Sequence, residues 1–172
     1  MLQSRKGDVM KKSEKLIIET MKFFEGDEKR IQHFIKVHSL SKLIAKGEEL
    51  DKETLETVEA AAIVHDVGIK PAEEKFGKCD GKLQESEGPF PAWKLMNKVG
   101  FSTKVMDRAC YLVAHHHTYE NVDGIDLQIL LEADFLVNAS EDGLSDTAKQ
   151  AGFEKLFRTR TGKELFSIMY KI

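Results

Sequence analysis

The stretch "AAAIVHDVGIK", residues 60–70, runs an apolar segment into a histidine and an aspartate side by side. A charge in an apolar interior is costly unless a partner or a coordinated ion compensates it. Whatever faces Asp66 therefore decides how the chain folds around it. The run belongs to a helix predicted over residues 51–66. It opens on the capping sequence "DKET", carries Leu55, Val58 and Ala62 on one stripe, and stops near Gly68 with Pro71 beyond.

No strand-like alternation of any length occurs on either side, and the chain reads as all-α. Further helices are predicted over 13–25 with Ser13 as N-cap, over 27–50, 91–99, 102–117, 125–139, 145–158 and 161–170, with Ser102 and Ser145 as caps. The segment 68–92 holds Gly68, Gly77, Gly81, Gly88, Pro71, Pro89 and Pro91. It is expected to be a long loop with at most a short helix, and loops of that length are usually functional or mobile. Polar residues 1–12 are expected to be disordered, leaving 13–172 as one helical domain.

Helical phase identifies the polar residues that point inward. In the second helix Val37, Leu40 and Ile44 share a stripe that reaches back four residues to His33. In the third, the stripe of Leu55, Val58 and Ala62 ends on His65. Val105, Ala109 and Leu112 continue to His116, and Leu127 with Leu130 or Leu131 continues to Asp134. Asp66 adjoins His65, about 100° around the helix. A lone histidine on an apolar face is more often a hydrogen-bonded core residue than a ligand, and a lone Asp134 pairs or caps. Two imidazoles and two carboxylates together are the donor mix of a divalent-metal site, which facing helices of a bundle commonly build.

The bulk properties fit a soluble globular chain. Its 172 residues are 41% apolar and 32% charged with a net charge of −3. There is no global basic field for polymeric nucleic acid or an anionic membrane. No run approaches the roughly 20 apolar residues of a membrane helix. The start of the chain lacks the apolar core of a signal peptide. Cys79 and Cys110 form neither a disulfide framework nor a metal pair, so a cytoplasmic, reducing setting is expected.

Over about residues 28–140 the chain resembles the HD superfamily of metal-dependent phosphohydrolases. Its H…HD…D pattern maps onto His33 in "RIQHFIKV", His65 and Asp66 in "AAAIVHDVGIK", and Asp134 in "LLEADFLVNA". The resemblance implies an HD-type helical bundle and a divalent metal held by His33, His65, Asp66 and Asp134. It implies hydrolysis of a small phosphate ester, nucleotides being the expected substrates, with Asp66 or a neighbouring carboxylate orienting the attacking water. Ion identity stays open among Mn, Fe, Mg, Co, Ni and Zn, as do monoester against diester and the oligomeric state, for which the amphipathic last segment offers a surface.

The "HHH" at 115–117 followed by "DG" is similar to relatives that bind two metals, the HD-GYP proteins among them. "GYP" is replaced by "DGID" here, which argues against a cyclic-dinucleotide phosphodiesterase. No histidine lies between 66 and 115; Glu85 and Glu87 are the carboxylates available there. His116 is the best-phased of the three histidines, as a second-site ligand or a donor to the phosphoryl group. His115 or His117 faces substrate or solvent. Lys70 resembles a phosphate-contacting lysine of relatives, with one residue inserted. Arg30 and Arg108 are weaker candidates, and His38, about 140° from His33, reads as structural or surface. The alternatives are a sensing or protein-binding HD module with a structural metal, and a di-iron oxygenase on the same fold.

Overall fold

The computed structural model describes residues 10–171, which form ten α-helices and no strand. Residues 1–9, on which most of the expected N-terminal disorder falls, lie outside the described residues. The helices are α1 (Lys12–Phe23), α2 (Glu28–Gly47), α3 (Lys52–Val64), α4 (Ile69–Phe76), α5 (Gly81–Glu87), α6 (Pro89–Val99), α7 (Thr103–Val113), α8 (Ile125–Glu141), α9 (Asp146–Leu156) and α10 (Arg160–Tyr170). None is long and apolar enough to cross a membrane.

Helix α3 is the axis of the fold. Its residues Ala60 to Val64 are all buried, and it packs against α1, α2, α7 and α8. Three consecutive alanines keep its surface low, so neighbours can approach on several sides. The buried apolar side chains join in one cluster that includes Phe34, Val37, Ile63, Leu112 and Leu130. Helices α9 and α10 close over α8.

Local signals set most helix starts. Asp27, Asp51, Asp80, Ser102, Ser145 and Thr159 each accept a backbone N–H of the first turn. The first helix departs from expectation. Its N-cap is Lys11, whose N–H donates to Glu14 at 2.7 Å, so Ser13 is already helical and the expected disorder does not extend to Lys12.

The expected loop at 68–92 is instead α4, α5 and the start of α6. Of the four glycines in this segment, only Gly77 terminates a helix in the left-handed region, at φ 65°. Pro89 sits in the first turn of α6, where a missing N–H costs nothing. Helices α3 and α7 are among those that stop earlier than expected. Residues 65–68 after α3 and 114–117 after α7 form buried or half-buried turns, and these two turns carry the His65–Asp66 pair and the three consecutive histidines.

Candidate metal centre

The HD turn and the histidine turn meet, with the His65 and His116 ring centroids 5.4 Å apart. His33 Nε2 lies 3.3 Å from His65 Nε2. Asp134 Oδ1 is 3.2 Å from the first and 3.5 Å from the second. Asp66 Oδ2 is 3.4 Å from His33 Nε2 and 3.5 Å from His65 Nε2. Four side chains from α2, the HD turn and α8 thus converge, as phase predicts. His65 keeps helical dihedrals, φ −58° and ψ −37°, so the α3 stripe runs through it although the helix has ended.

Each ring is fixed by its other nitrogen. His33 Nδ1–H donates to Glu141 Oε2 at 2.8 Å, and His65 Nδ1–H to the Ala62 carbonyl at 2.8 Å. His116 Nδ1–H donates to the Val113 carbonyl at 2.7 Å. All three present an Nε2 lone pair to the same region, and anchoring of this kind is what orients ligating imidazoles. His116 Nε2 is buried without a hydrogen-bond partner, 3.5 Å from Asp66 Oδ1. Lone pairs and carboxylates this close repel unless positive charge sits among them.

The titration behaviour says the same. Burial opposes charging of His33, yet the Asp134 hydrogen bond and the Asp66 and Asp134 charges overcome it and raise its pKa to about 9. His65 is raised as well, with burial opposing and Asp66 and Asp134 prevailing. Burial works against ionising Asp66 and Asp134, but the imidazoles hold both below the ordinary carboxylate range. The cluster draws cations, and a divalent ion fits this donor set.

Asp66 is shared. One oxygen faces His33 and His65, and the other faces a second group. Asp66, His116 and His117 offer ligand atoms within 4.8 Å of one another. Burial lowers the pKa of His117 and favours the neutral ring a ligand needs. A cavity of about 420 Å³ opens over both groups and is lined by His33, Asp66, Gln84, His117, Asp134 and Glu141, with Lys29 and Arg30 at its edge.

Several expected site residues lie elsewhere. Lys70 donates to the Phe23 carbonyl at 3.2 Å and sits over the Phe23 ring, and it does not line the cavity. Glu87 pairs with Lys75 and lines a separate groove with Phe23 and Phe90. His115 donates to the Tyr111 carbonyl at 2.7 Å and stacks on that ring, outside both groups. Arg108 is bound to Asp123 and Asp126. Arg30 does line the cavity, held by Asp27 and Glu73. His38 pairs with Glu59 at 3.0 Å, a structural contact as expected.

Two residues of the site escaped the sequence reading. Glu141 lies seven residues after Asp134, two helical turns along the same face, and that spacing was the available signal. Gln84 sat in the segment read as loop.

The family model described as HD domain matches residues 30–139, which contain all four convergent residues.

The chain belongs to the HD domain family.

An HD-type fold also accounts for a structural likeness. The crystal structure of a predicted HD superfamily hydrolase from an uncultured Thermotogales bacterium superposes with a TM-score of 0.65 at 24% identity, covering 91% of this chain and 83% of that one. No curated protein gives a significant match. Glu141, which orients His33, falls just beyond the HD domain match.

Proposed function

We propose that this HD domain protein is a metal-dependent phosphohydrolase. His33, His65, Asp66 and Asp134 would hold one divalent ion, and Asp66, His116 and His117 a second. The observation that carries this is the convergence of imidazole Nε2 atoms on two carboxylates while the Nδ1 protons are donated elsewhere. A bound divalent ion supplies Lewis acidity toward a phosphoryl oxygen and lowers the pKa of a coordinated water.

The protein's own groups supply the rest. Asp27, Asp66, Asp134, Glu141 and Asp142 line the cavity against Lys29 and Arg30 as lysine and arginine cations. Such a cavity repels a phosphate unless metal charge reverses its field, so substrate binding and metal binding are coupled. Asp66, turned to both groups, is placed to orient the attacking water. Glu141 keeps the His33 lone pair on the metal side. Lys29 and Arg30, which line the cavity, would meet an entering phosphate. The HD superfamily hydrolase of similar fold supports hydrolysis as the reaction class. A small nucleotide is the first substrate to test.

Phosphate release from nucleoside monophosphates and phenol release from an aryl phosphodiester, measured across Mg, Mn, Fe, Co, Ni and Zn, are the test. Metal-dependent hydrolysis that a chelator abolishes is expected. Stoichiometric metal binding without hydrolysis of either ester class would overturn the reading, and oxygen consumption by the iron-loaded protein would then select the oxygenase alternative.

A further inference from the structure

The second group has a mechanical problem. His116 and His117 lie on the turn that follows α7, not on the helix. His116 is buried and anchored to the Val113 carbonyl, but no helix fixes the direction of His117.

Helix α5 supplies that hold twice. Glu85 Oε1 accepts the His117 backbone N–H at 2.9 Å and the Thr118 hydroxyl at 2.9 Å. Gln84 Oε1 accepts His117 Nε2–H at 3.0 Å. With Nε2 carrying the proton, Nδ1 is the lone-pair nitrogen of that ring. Without such an acceptor, ring direction and tautomer are both free.

The close seating of α5 is written in glycine. A Cβ at Gly81 would lie 2.8 Å from His117 Cγ and 2.9 Å from its Cβ. A Cβ at Gly68 would lie 2.4 Å from the Gln84 carbonyl oxygen, and one at Gly88 would lie 2.8 Å from it and 2.6 Å from Val113 Cγ1. Gly68 and Gly88 have ordinary helical φ of −68° and −73°. Conformational freedom is not what requires glycine there; the distances are. Three points of backbone approach pin α5 between the HD turn and the histidine turn.

We infer that α5 is the positioning element of the second cation group: Gln84, with Glu85 behind it, fixes the direction and tautomer of His117 so that it completes Asp66 and His116. Gln84 is a positioning residue, acting through His117. The inference rests on the two-ion reading of the preceding subsection.

The test is titration of the chelator-stripped full chain with Co²⁺, followed by visible absorption and calorimetry, for wild type, Gln84→Leu and Gln84→Glu. Wild type takes up two equivalents. Gln84→Leu, which accepts no hydrogen bond, weakens the second by roughly 10–100-fold, as loss of an outer partner of a ligating histidine does, and leaves the first unchanged. Gln84→Glu, whose oxygen still accepts from Nε2–H, keeps the second at wild-type affinity or tighter. Gln84 is half-buried and exposed to the cavity, so unchanged melting is expected of both variants. Three results overturn the inference while leaving the first group standing: a single equivalent in wild type, an unaltered second equivalent in Gln84→Leu, or equal loss in Leu and Glu. No uptake at all by wild type would instead bring down the metal reading itself.

Discussion

Glu141→Ala removes the acceptor of His33 Nδ1–H and leaves every converging donor in place. The contact is 2.8 Å long, links a buried ring to a carboxylate, and is charge-assisted. Bonds of this kind contribute about 1.5–3 kcal/mol. At about 1.4 kcal/mol per tenfold, that is roughly 10–100-fold in cation affinity, the range seen when outer partners of ligating histidines are removed. The Glu141 side chain is 17% exposed and shared with Lys36, so the lower part of the range, about 10–30-fold, is expected. Competition against a chelating indicator measures it. Glu141→Gln, whose carbonyl oxygen still accepts, should fall between. Lys36→Ala is the control, because Lys36 is 53% exposed and its pair with Glu141 is a surface contact. Wild-type affinity in Glu141→Ala, or an equal loss in Lys36→Ala, would refute the role given to Glu141.

Three further outcomes follow from the structure. In chelator-treated protein, His33 has a pKa raised from 6.5 to about 9; its contribution to stability, about 3 kcal/mol, is complete below pH 6.5 and lost as pH rises through 9, a fall that denaturant titration should show. Glu132 is buried and accepts from Gln128, the Arg158 and Thr159 N–H groups and the Thr159 hydroxyl; Glu132→Ala should cost about 3 kcal/mol or more and lower Tm by roughly 6–12 °C, with metal stoichiometry unchanged. Lys70→Ala should leave both metal binding and kcat/KM unaltered, since its ammonium is bound to the Phe23 carbonyl; a large loss of kcat/KM would return Lys70 to the site.

Periodicity carried the reading of the four converging residues because α2, α3 and α8 are regular up to or through them. At His65 the helix has ended by hydrogen bonding but not by dihedral angle, so phase still placed the side chain. Beyond Val113 that logic weakens. Phase selected His116, while the turn brought in His117 as well and left His115 on Tyr111. Glycine was the main source of error. Gly77 is a helix terminator, but Gly68, Gly81 and Gly88 are places where another chain segment comes within contact of the backbone. Sequence does not distinguish the two uses, and reading all as breakers hid α4 and α5, and with them Gln84. Lys70 failed because a local motif was read through an inserted residue; its ammonium is bound to the Phe23 carbonyl instead.

The central claim is that Asp66 is held by cations and serves both groups. Elemental analysis of purified Asp66→Ala, beside its melting temperature, tests it most directly. The stripe of Val58 and Ala62 that anchors α3 is untouched by the substitution, and the imidazoles left behind tolerate burial when neutral. The substituted protein is expected to melt close to wild type, to have lost its metal, and to release no phosphate. An Asp66→Ala protein that keeps its full metal complement would contradict that claim.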